Sequence, residues 1–222
     1  TLFRSMDAAQ TEVSEATRTA TFTPGRDAAR KEASKLNVPR IGVRFRLPAS
    51  MNQVEYFGRG PAEYYLDRNA GSMIGLYKST AEELYFPYVR PQENGHHTDT
   101  RWVSLSTGKK GLLIQADNTI GFNALRNSIE DFDDEEATGL PRQWSNFTPE
   151  QVANHDEAAA KSVLRRQHHI NDITPRDFVE VCVDLKQQGV AGYDSWGSRP
   201  EPAYTLPANR EYNWGFTLIP LK

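Results

Sequence analysis

One tryptophan of this chain lies in a segment whose composition favours an exposed loop. Trp196 belongs to the sequence GYDSWGSRP (residues 192–200), which lies between two strand-like runs. An aromatic ring on a polar loop can stack against the C–H face of a sugar. We therefore take Trp196, with Asp194 and Ser195 directly before it, as the candidate substrate-binding residues.

Two upstream tracts combine aromatic rings with carboxylate, amide and guanidinium groups. They are GRGPAEYYLDR (residues 58–68) and YFPYVRPQENG (residues 85–95), with Arg101 and Trp102 close behind. Such side chains can bind polyhydroxylated ligands, but they can also lock loops through internal hydrogen bonds. For these two tracts we favour the structural interpretation. The secondary candidates are Glu63, Asp67, Arg68, Tyr88, Glu93, Asn94 and Arg101.

Motifs for catalysis and metal binding are missing from the sequence. It contains no glycine-rich dinucleotide or phosphate motif and no GxSxG nucleophile motif. The adjacent pairs His96–His97 and His168–His169 would point to opposite faces of a strand, so each pair chelates a metal poorly. The acidic run at residues 130–136 is more typical of a solvated loop than of a calcium site or an acid–base pair. The sequence therefore predicts no catalytic residue and no metal site in this chain.

Length, charge and cysteine content limit the function classes further. The chain has 222 residues, a formal net charge of −3 and a single cysteine, Cys182. The charges of both signs are well mixed, so nothing favours a nucleic-acid or membrane partner, and no stretch is apolar enough to span a bilayer. One cysteine excludes an internal disulfide, and we expect Cys182 to be a half-buried, inert thiol on a strand.

Alternation of apolar and polar residues dominates the chain and predicts an all-β, antiparallel fold. The strongest alternating runs are expected to be half-buried strands with one wet face. Glycine or proline occurs in nearly every gap, which favours antiparallel strands over βαβ units. The strong candidates are residues 41–47, 178–185 and 212–218, and the weaker ones are 12–23, 53–57, 73–78, 98–106 and 111–116.

Two segments break this alternation. Residues 148–167 predict a helix, because Thr148 can act as N-cap, Pro149 suits the first helical position and Gln151 completes a capping box. This segment has few large apolar residues, so we expect one short inserted helix on the surface. A second charged, alanine-rich stretch at residues 27–36 predicts a helical turn.

The order and spacing of the three tracts resemble the C-terminal small-chain domain of bacterial β-galactosidases of glycoside hydrolase family 2. The resemblance runs from about Pro39 to Leu221, and residues 184–190 are similar to the Bacteroidetes-like branch. Tyr64 and Tyr193 depart from the family pattern, since both stand where that family has a polar residue. The matching residues are Gly58, Gly60, Pro61, Glu63, Tyr65, Asp67, Arg68, Tyr88, Val89, Pro91, Glu93, Asn94, Gly95, Asp194, Ser195 and Trp196.

The resemblance implies a fold and a division of labour. The implied fold is an antiparallel β-supersandwich of the galactose-mutarotase-like kind. The two catalytic glutamates of these retaining enzymes, with Mg²⁺ and Na⁺ or K⁺, belong to a separate TIM barrel. The small-chain domain closes over that barrel and lends one aromatic ring, which Trp196 matches. By itself the chain would be inactive and would bind no cofactor.

The resemblance also implies partners, a location and a domain layout. The partners are a β-galactoside, the barrel and other domains of the same enzyme and, through homo-oligomerisation, further copies of it; the location is cytoplasmic or periplasmic. Residues 1–38 are interpreted as an N-terminal remnant, of which residues 1–5 are either genuine sequence or a translated sequencing adapter. Residues 39–222 form the small-chain domain, with an insertion at about 133–164.

Two other function classes remain open at this point. A free-standing aldose mutarotase would share the fold and would need a histidine and a glutamate facing the sugar. His96 or His169 with Glu93 are the candidates for that pair. The second alternative is a carbohydrate-binding or purely structural module with no part in catalysis.

Overall fold

Strands make up most of the regular structure of the chain. The computed structural model describes residues 5–6, 16–22, 37–89, 91–132, 170–194 and 197–222. In these ranges, the regular elements are strands and three 3-10 helices, at Ile129–Phe132, Ile170–Asp172 and Pro202–Tyr204. The predicted helical segments at 27–36 and 148–167 lie outside the described residues. The strands are β1 Ser5–Met6, β2 Ala16–Phe22, β3 Arg40–Pro48, β4 Gln53–Gly60, β5 Met73–Thr80, β6 His97–Ser106, β7 Gly111–Leu125, β8 Phe178–Gln187 and β9 Tyr212–Leu221.

The long strand β7 joins the two arms of the sheet. Its first half, Gly111–Ala116, pairs with β9, and its second half, Gly121–Leu125, pairs with β8. The strand order β1-β3-β8-β7-β6-β4-β5 therefore branches at β7 into β9 and β2. All pairings except β1 with β3 are antiparallel. The predicted all-β, antiparallel sandwich is confirmed.

The two arms share one hydrophobic core. Trp214 and Phe216 of β9 belong to the same buried cluster as Val181 and Val183 of β8. Phe122 of β7 lies in this cluster and has no exposed surface. Burial of an aromatic or branched side chain contributes about 1.5–3 kcal/mol, so the shared cluster holds the arms together. The strands in turn fix the ends from which the candidate loops emerge.

The polar face of β8 corrects one expectation from the sequence. Glu180 and Asp184 were expected on the wet face of this strand and Cys182 was expected to be half-buried, but all three are buried. The cause lies on β3, where Arg40 pairs with Asp184 and where Arg44 and Arg46 pair with Glu180. These arginines offset the negative charge of the carboxylates and cover the face. Burial raises the pKa of the Cys182 thiol, which agrees with an inert thiol.

Strand β5 presents an exposed apolar surface. It pairs with β4 and ends the strand order of the described sheet. Met73 is 74% exposed and Leu76 is 58% exposed, with Ile74 between them at 44%.

None of the helices described is long and apolar enough to cross a membrane.

Candidate carbohydrate site

The three sequence tracts meet around one open cleft of about 410 Å³. Tyr65 and Arg68 of the first tract line one side, and Tyr88 and Glu93 of the second tract line another. The remaining wall comes from the end of β8 and the segment that follows it. We call this space the motif cleft. Its full lining is Pro39, Tyr65, Arg68, Tyr88, Gln92, Glu93, Gln187, Gln188, Gly189, Val190, Gly192 and Pro200.

Glu63 ties the first tract to the second. One of its carboxylate oxygens accepts a hydrogen bond from the Gly95 amide at 2.6 Å, and the other accepts one from the Tyr88 hydroxyl. Burial, followed by the Glu63 carboxylate, raises the pKa of Tyr88. Tyr65 is buried beside this contact and stacks on His96, with ring centroids 5.7 Å apart. The tyrosine walls of the cleft are therefore held in place from behind.

Asp67 and Arg68 tie the first tract to the third. The two oxygens of Asp67 accept hydrogen bonds from consecutive amides, Val190 at 3.1 Å and Ala191 at 2.8 Å. Arg68 donates from Nη2 to the carbonyl of Ala191 at 2.6 Å. The peptide group preceding Ala191 and the one following it are therefore both bound by side chains of the first tract.

The third tract turns sharply after β8. Ala191 and Gly192 have φ values of 53° and 81°, which lie in the left-handed region. The hydroxyl of Ser198 accepts hydrogen bonds from the amides of Tyr193 at 2.9 Å and Asp194 at 3.4 Å. These bonds close the loop that contains the candidate residues. Asp194 is described at its base, whereas Ser195 and Trp196 lie outside the described residues.

Behind Glu93, a buried polar network connects the motif cleft to the sheet. The Glu93 side chain is 28% exposed and lies 3.5 Å from Nη1 of Arg40. Asn123 donates to Glu93 at 3.1 Å and accepts from both His96 and Arg40. Arg40 in turn binds Asp184, whose side chain is fully buried. Glu93 is thus the solvent-facing end of a network inside the fold.

The network holds His96 neutral. Its Nδ1 lies 2.8 Å from Oδ1 of Asn123, so His96 donates this hydrogen bond. Burial, with the positive charge of Arg40, lowers the pKa of His96 to about 3. Only 1% of His96 is exposed. A neutral, enclosed imidazole packs and orients its neighbours, and it does not reach a ligand in the cleft.

Comparison with known proteins decides the family. The family model described as "Beta galactosidase small chain" matches residues 5–218. The chain belongs to the β-galactosidase small-chain family. A β-galactosidase of Priestia megaterium is 34% identical over 185 residues, which cover 83% of this chain and 15% of that protein. A β-galactosidase of Streptococcus thermophilus is 28% identical over 187 residues, covering 83% and 15%.

A third relative matches a shorter part of the chain. A β-galactosidase of an Arthrobacter species is 41% identical over 99 residues, covering 42% of this chain and 10% of that protein. This small-chain sequence therefore spans between 10% and 15% of the length of these three relatives. The family match begins at residue 5, so it extends upstream of Pro39, where the resemblance seen in the sequence begins. Strand β2 lies in this upstream part and pairs with β9 along its length.

Four of the secondary candidates of this small-chain domain, Glu63, Asp67, Asn94 and Arg101, do not line the cleft. Asn94 is buried and donates to the carbonyls of Phe86 at 3.3 Å and Gln92 at 3.5 Å, so it shapes the second tract from within. Arg101 lies on β6, donates to the Asp99 carbonyl and stacks 5.3 Å from the centroid of Phe57. Arg101 instead lines a separate groove formed by β4, β6, β7 and β9.

Several residues at the site escaped the sequence analysis. Gln187 and Gln188 line the motif cleft, and Arg40 and Asn123 support Glu93 from behind. The glutamines come after Lys186, just past the end of the predicted strand 178–185, and this position was the one signal that could have placed them at the cleft. Nothing in the sequence pairs Arg40 with residues more than 80 positions away.

The described part of the chain contains no cluster of metal-binding side chains. Within those ranges, no three or more His, Cys, Asp or Glu side chains are grouped so that they could hold a metal ion. His96 and His97 are both buried, and the latter binds the Gly95 carbonyl through Nδ1 at 3.1 Å. These donor residues do not fit a divalent metal.

Proposed function

We propose that this small-chain domain completes the sugar site of a retaining β-galactosidase, and that Trp196 supplies its stacking surface. The observation that carries the proposal is the convergence of three separate tracts on one cleft, directly beside the loop that contains Trp196. The chain spans 15% of the Priestia relative, so the rest of such an enzyme lies outside it. The catalytic glutamates are assigned to that remainder.

The cleft lining suits a polyhydroxylated ligand. Tyr88 offers aromatic surface, Gln188 offers an amide, and Arg68 and Glu93 offer charged hydrogen-bonding groups. Sugars present both a C–H face and many hydroxyls, so they match such a mixed surface. Asp194 at the loop base, with Ser195, is proposed to bind substrate hydroxyls beside the indole ring.

The chain's own residues bind and orient rather than break bonds. Retaining glycosidases need two carboxyl groups that face the same glycosidic bond. Of the carboxylates in the first two tracts, Glu63 is bound by Tyr88 and Gly95, and Asp67 is bound by backbone amides. Glu93 lies 3.5 Å from Nη1 of Arg40 and accepts a hydrogen bond from Asn123. These contacts support binding and positioning roles for the chain.

The mutarotase alternative loses support from the burial of His96. That alternative needs an imidazole that faces the sugar, but His96 is enclosed behind Tyr65 and has a pKa of about 3. His169, the other candidate, lies outside the described residues. The small-chain function is therefore preferred.

The partner surfaces belong to the same proposal. Adjacent exposed apolar side chains, such as Met73, Ile74 and Leu76 on β5, are typical of a surface that another protein domain covers. The proposed occupant is another domain of the same polypeptide, since 85% of the Priestia relative has no counterpart in this chain (100% minus the 15% covered). The Mg²⁺ and Na⁺ or K⁺ ions are assigned to the TIM barrel. We also assign to this enzyme a homo-oligomeric state and a cytoplasmic or periplasmic location.

Replacing Trp196 in a full-length β-galactosidase that carries this chain tests the proposal. Loss of a stacking ring costs about 1–3 kcal/mol, so Trp196→Ala should raise KM for lactose and aryl galactosides about 5- to 150-fold, with a smaller change in kcat. Trp214→Phe is the matched control, because Trp214 is a core residue with only 9% exposure. It should lower the melting temperature and leave KM unchanged. Unaltered kinetics in Trp196→Ala would refute the role.

A further inference from the structure

We propose that Asp67 and Arg68 are positioning residues that set the orientation of the loop carrying Trp196. This inference rests on the proposed function, and it assigns to the first tract a mechanical role in the third. Two side chains that are adjacent in sequence bind both sides of Ala191, which lies about 123 residues further along the chain. We call this set of three contacts the Ala191 clasp.

The Asp67 half of the clasp is a carboxylate held by consecutive backbone amides. Its Oδ1 accepts from Val190 at 3.1 Å and its Oδ2 accepts from Ala191 at 2.8 Å. Successive amides around a left-handed residue form a concave anion-binding surface, and Asp67 fills it. Because hydrogen bonds to a charged acceptor are stronger than neutral ones, the carboxylate fixes the direction of both amides.

The Arg68 half of the clasp fixes the following peptide group. Its guanidinium donates to the Ala191 carbonyl at 2.6 Å. Ala191 is 2% exposed and has a φ of 53°, a conformation that alanine rarely adopts without support from its surroundings. Contacts on both sides of this residue hold the backbone in the left-handed region and so select the direction in which the loop leaves β8.

Two glycines leave room for the clasp. A Cβ at Gly189 would lie 2.5 Å from Oδ2 of Asp67, and one at Gly192 would lie 3.1 Å from Nη2 of Arg68. Gly192 also has a φ of 81°, so a side chain there would be strained as well. The first tract therefore supplies the side chains of the clasp, and glycine at positions 189 and 192 leaves the space that these side chains occupy.

The clasp lies at the start of the loop that contains Trp196. Ala191 is five positions before Trp196, and the Ser198 hydroxyl closes the loop through the amides of Tyr193 and Asp194. The far side of the loop is thus tied to its own base, and that base is tied to Asp67 and Arg68. Rotation of the peptide groups at Ala191 would reorient the whole closed loop.

The test combines amide exchange with kinetics in a full-length β-galactosidase that carries this chain. Asp67→Asn keeps one acceptor but turns an NH₂ group toward the other amide. We expect exchange of the Val190 and Ala191 amides to become about tenfold faster, and KM to rise about tenfold with kcat changed less than about twofold. Arg68→Lys, which keeps the charge and one donor, should show a smaller rise in KM than Arg68→Ala.

A matched control separates positioning from general stability. Glu82→Gln alters a carboxylate that binds Arg126 at 2.7 Å and makes no hydrogen bond to the clasp, so it should leave both exchange and KM unchanged. If Asp67→Asn lowers the melting temperature but leaves KM and the Ala191 amide unchanged, the clasp is only a structural contact and the inference fails.

The same measurements distinguish failure of the clasp from failure of the proposed function. Faster exchange in Asp67→Asn together with unchanged KM in Trp196→Ala would support the contact geometry but overturn the positioning role, because the ring it positions would not bind substrate. A raised KM in Trp196→Ala with no effect of Asp67→Asn would overturn the clasp alone.

Discussion

Arg40 donates two hydrogen bonds to the same carboxylate oxygen of Asp184, from Nε at 2.8 Å and from Nη2 at 2.6 Å. This buried pair joins β3 to β8 beside a register shift at Ile41 and Gly42. Burial raises the pKa of Asp184 to about 6, although the guanidinium acts in the opposite direction. Arg40 also lies 3.5 Å from Glu93, so the pair supports the motif cleft from inside the sheet.

Removing one member of this pair should destabilise the chain strongly. Arg40→Met leaves the Asp184 carboxylate buried without its partner, and breaking a buried pair in this way costs about 3–5 kcal/mol. The double variant Arg40→Met, Asp184→Leu removes both charges and should be less destabilised than Arg40→Met alone. Chemical denaturation of the parent chain, Arg40→Met, Asp184→Leu and the double variant measures the coupling. A double variant as unstable as the sum of its single variants would contradict this account of the pair.

Gly42 should not tolerate a side chain. A Cβ at this position would lie 1.9 Å from Oδ1 of Asp184 and 2.6 Å from the Val183 carbonyl, which is backbone and cannot move aside cheaply. Gly42→Ala should therefore lower the free energy of unfolding by about 1–3 kcal/mol or more. Gly71→Ala is the control, because a Cβ there meets nothing within 4 Å. Equal melting temperatures for the two variants would show that the strand accommodates the methyl group.

The strands could be read from sequence because alternation is a local signal. Each of the eight predicted strand segments overlaps a strand of the structure, including the weak candidate at 12–23, which contains β2 at Ala16–Phe22. The extension of β7 from Ala116 to Leu125 was missed. Asp117 and Asn118 interrupt the apolar pattern there, and the pairing of Gly121–Leu125 with β8 depends on residues far along the chain.

The buried polar face of β8 shows what local patterns cannot contain. Glu180 and Asp184 follow the alternation of a solvated strand face, yet arginines of β3 cover them from about 140 positions away. The residues of the motif cleft could be predicted from the sequence only in part, for the same reason. The tracts revealed Tyr88 and Glu93, while the sheet pairing that places Arg40 behind Glu93 left no mark in the sequence.

His97 should make the stability of the chain sensitive to acid. It is buried between Tyr56 and Phe122, and this burial lowers its pKa from 6.5 to about 4. The unfolded chain takes up a proton below pH 6.5 that the folded chain refuses until about pH 4, so stability falls as the pH drops through this window. The slope is about 1.4 kcal/mol per pH unit for one such group.

Thermal or urea unfolding of His97→Gln between pH 4 and pH 7 measures this contribution. The variant loses its ring contacts at every pH, so the readout is the slope and not the stability itself. His96, whose pKa is also lowered, acts in the same direction, whereas Asp184, whose pKa is raised to about 6, acts in the opposite direction. Both remain in the variant. A slope identical to that of the parent chain would show that His97 is not held neutral.

Glu63 should control the ionisation of Tyr88. Because Glu63 Oε1 accepts the Tyr88 proton in a hydrogen bond, ionising Tyr88 would place two negative charges together. Glu63→Gln removes one of these charges, so the pKa of Tyr88 should fall, and stability should fall by about 1.5 kcal/mol. Absorbance at alkaline pH follows the titration, with Tyr88→Phe identifying the transition that belongs to this residue. An unchanged titration curve would place the cause of the raised pKa in burial alone.

The insertion that the sequence predicts at about 133–164 should be removable without loss of the fold. The segments on either side are joined directly: Arg176 donates from Nε to Asp131 at 3.0 Å, and Asn127 donates to the Thr174 carbonyl at 3.0 Å. Replacing residues 133–164 by a short Gly/Ser linker keeps these contacts. Each halving of the loop length also reduces its closure cost by about 0.6 kcal/mol. The shortened chain should therefore melt at or slightly above the temperature of the parent, and a chain that fails to fold would assign the replaced segment to the core.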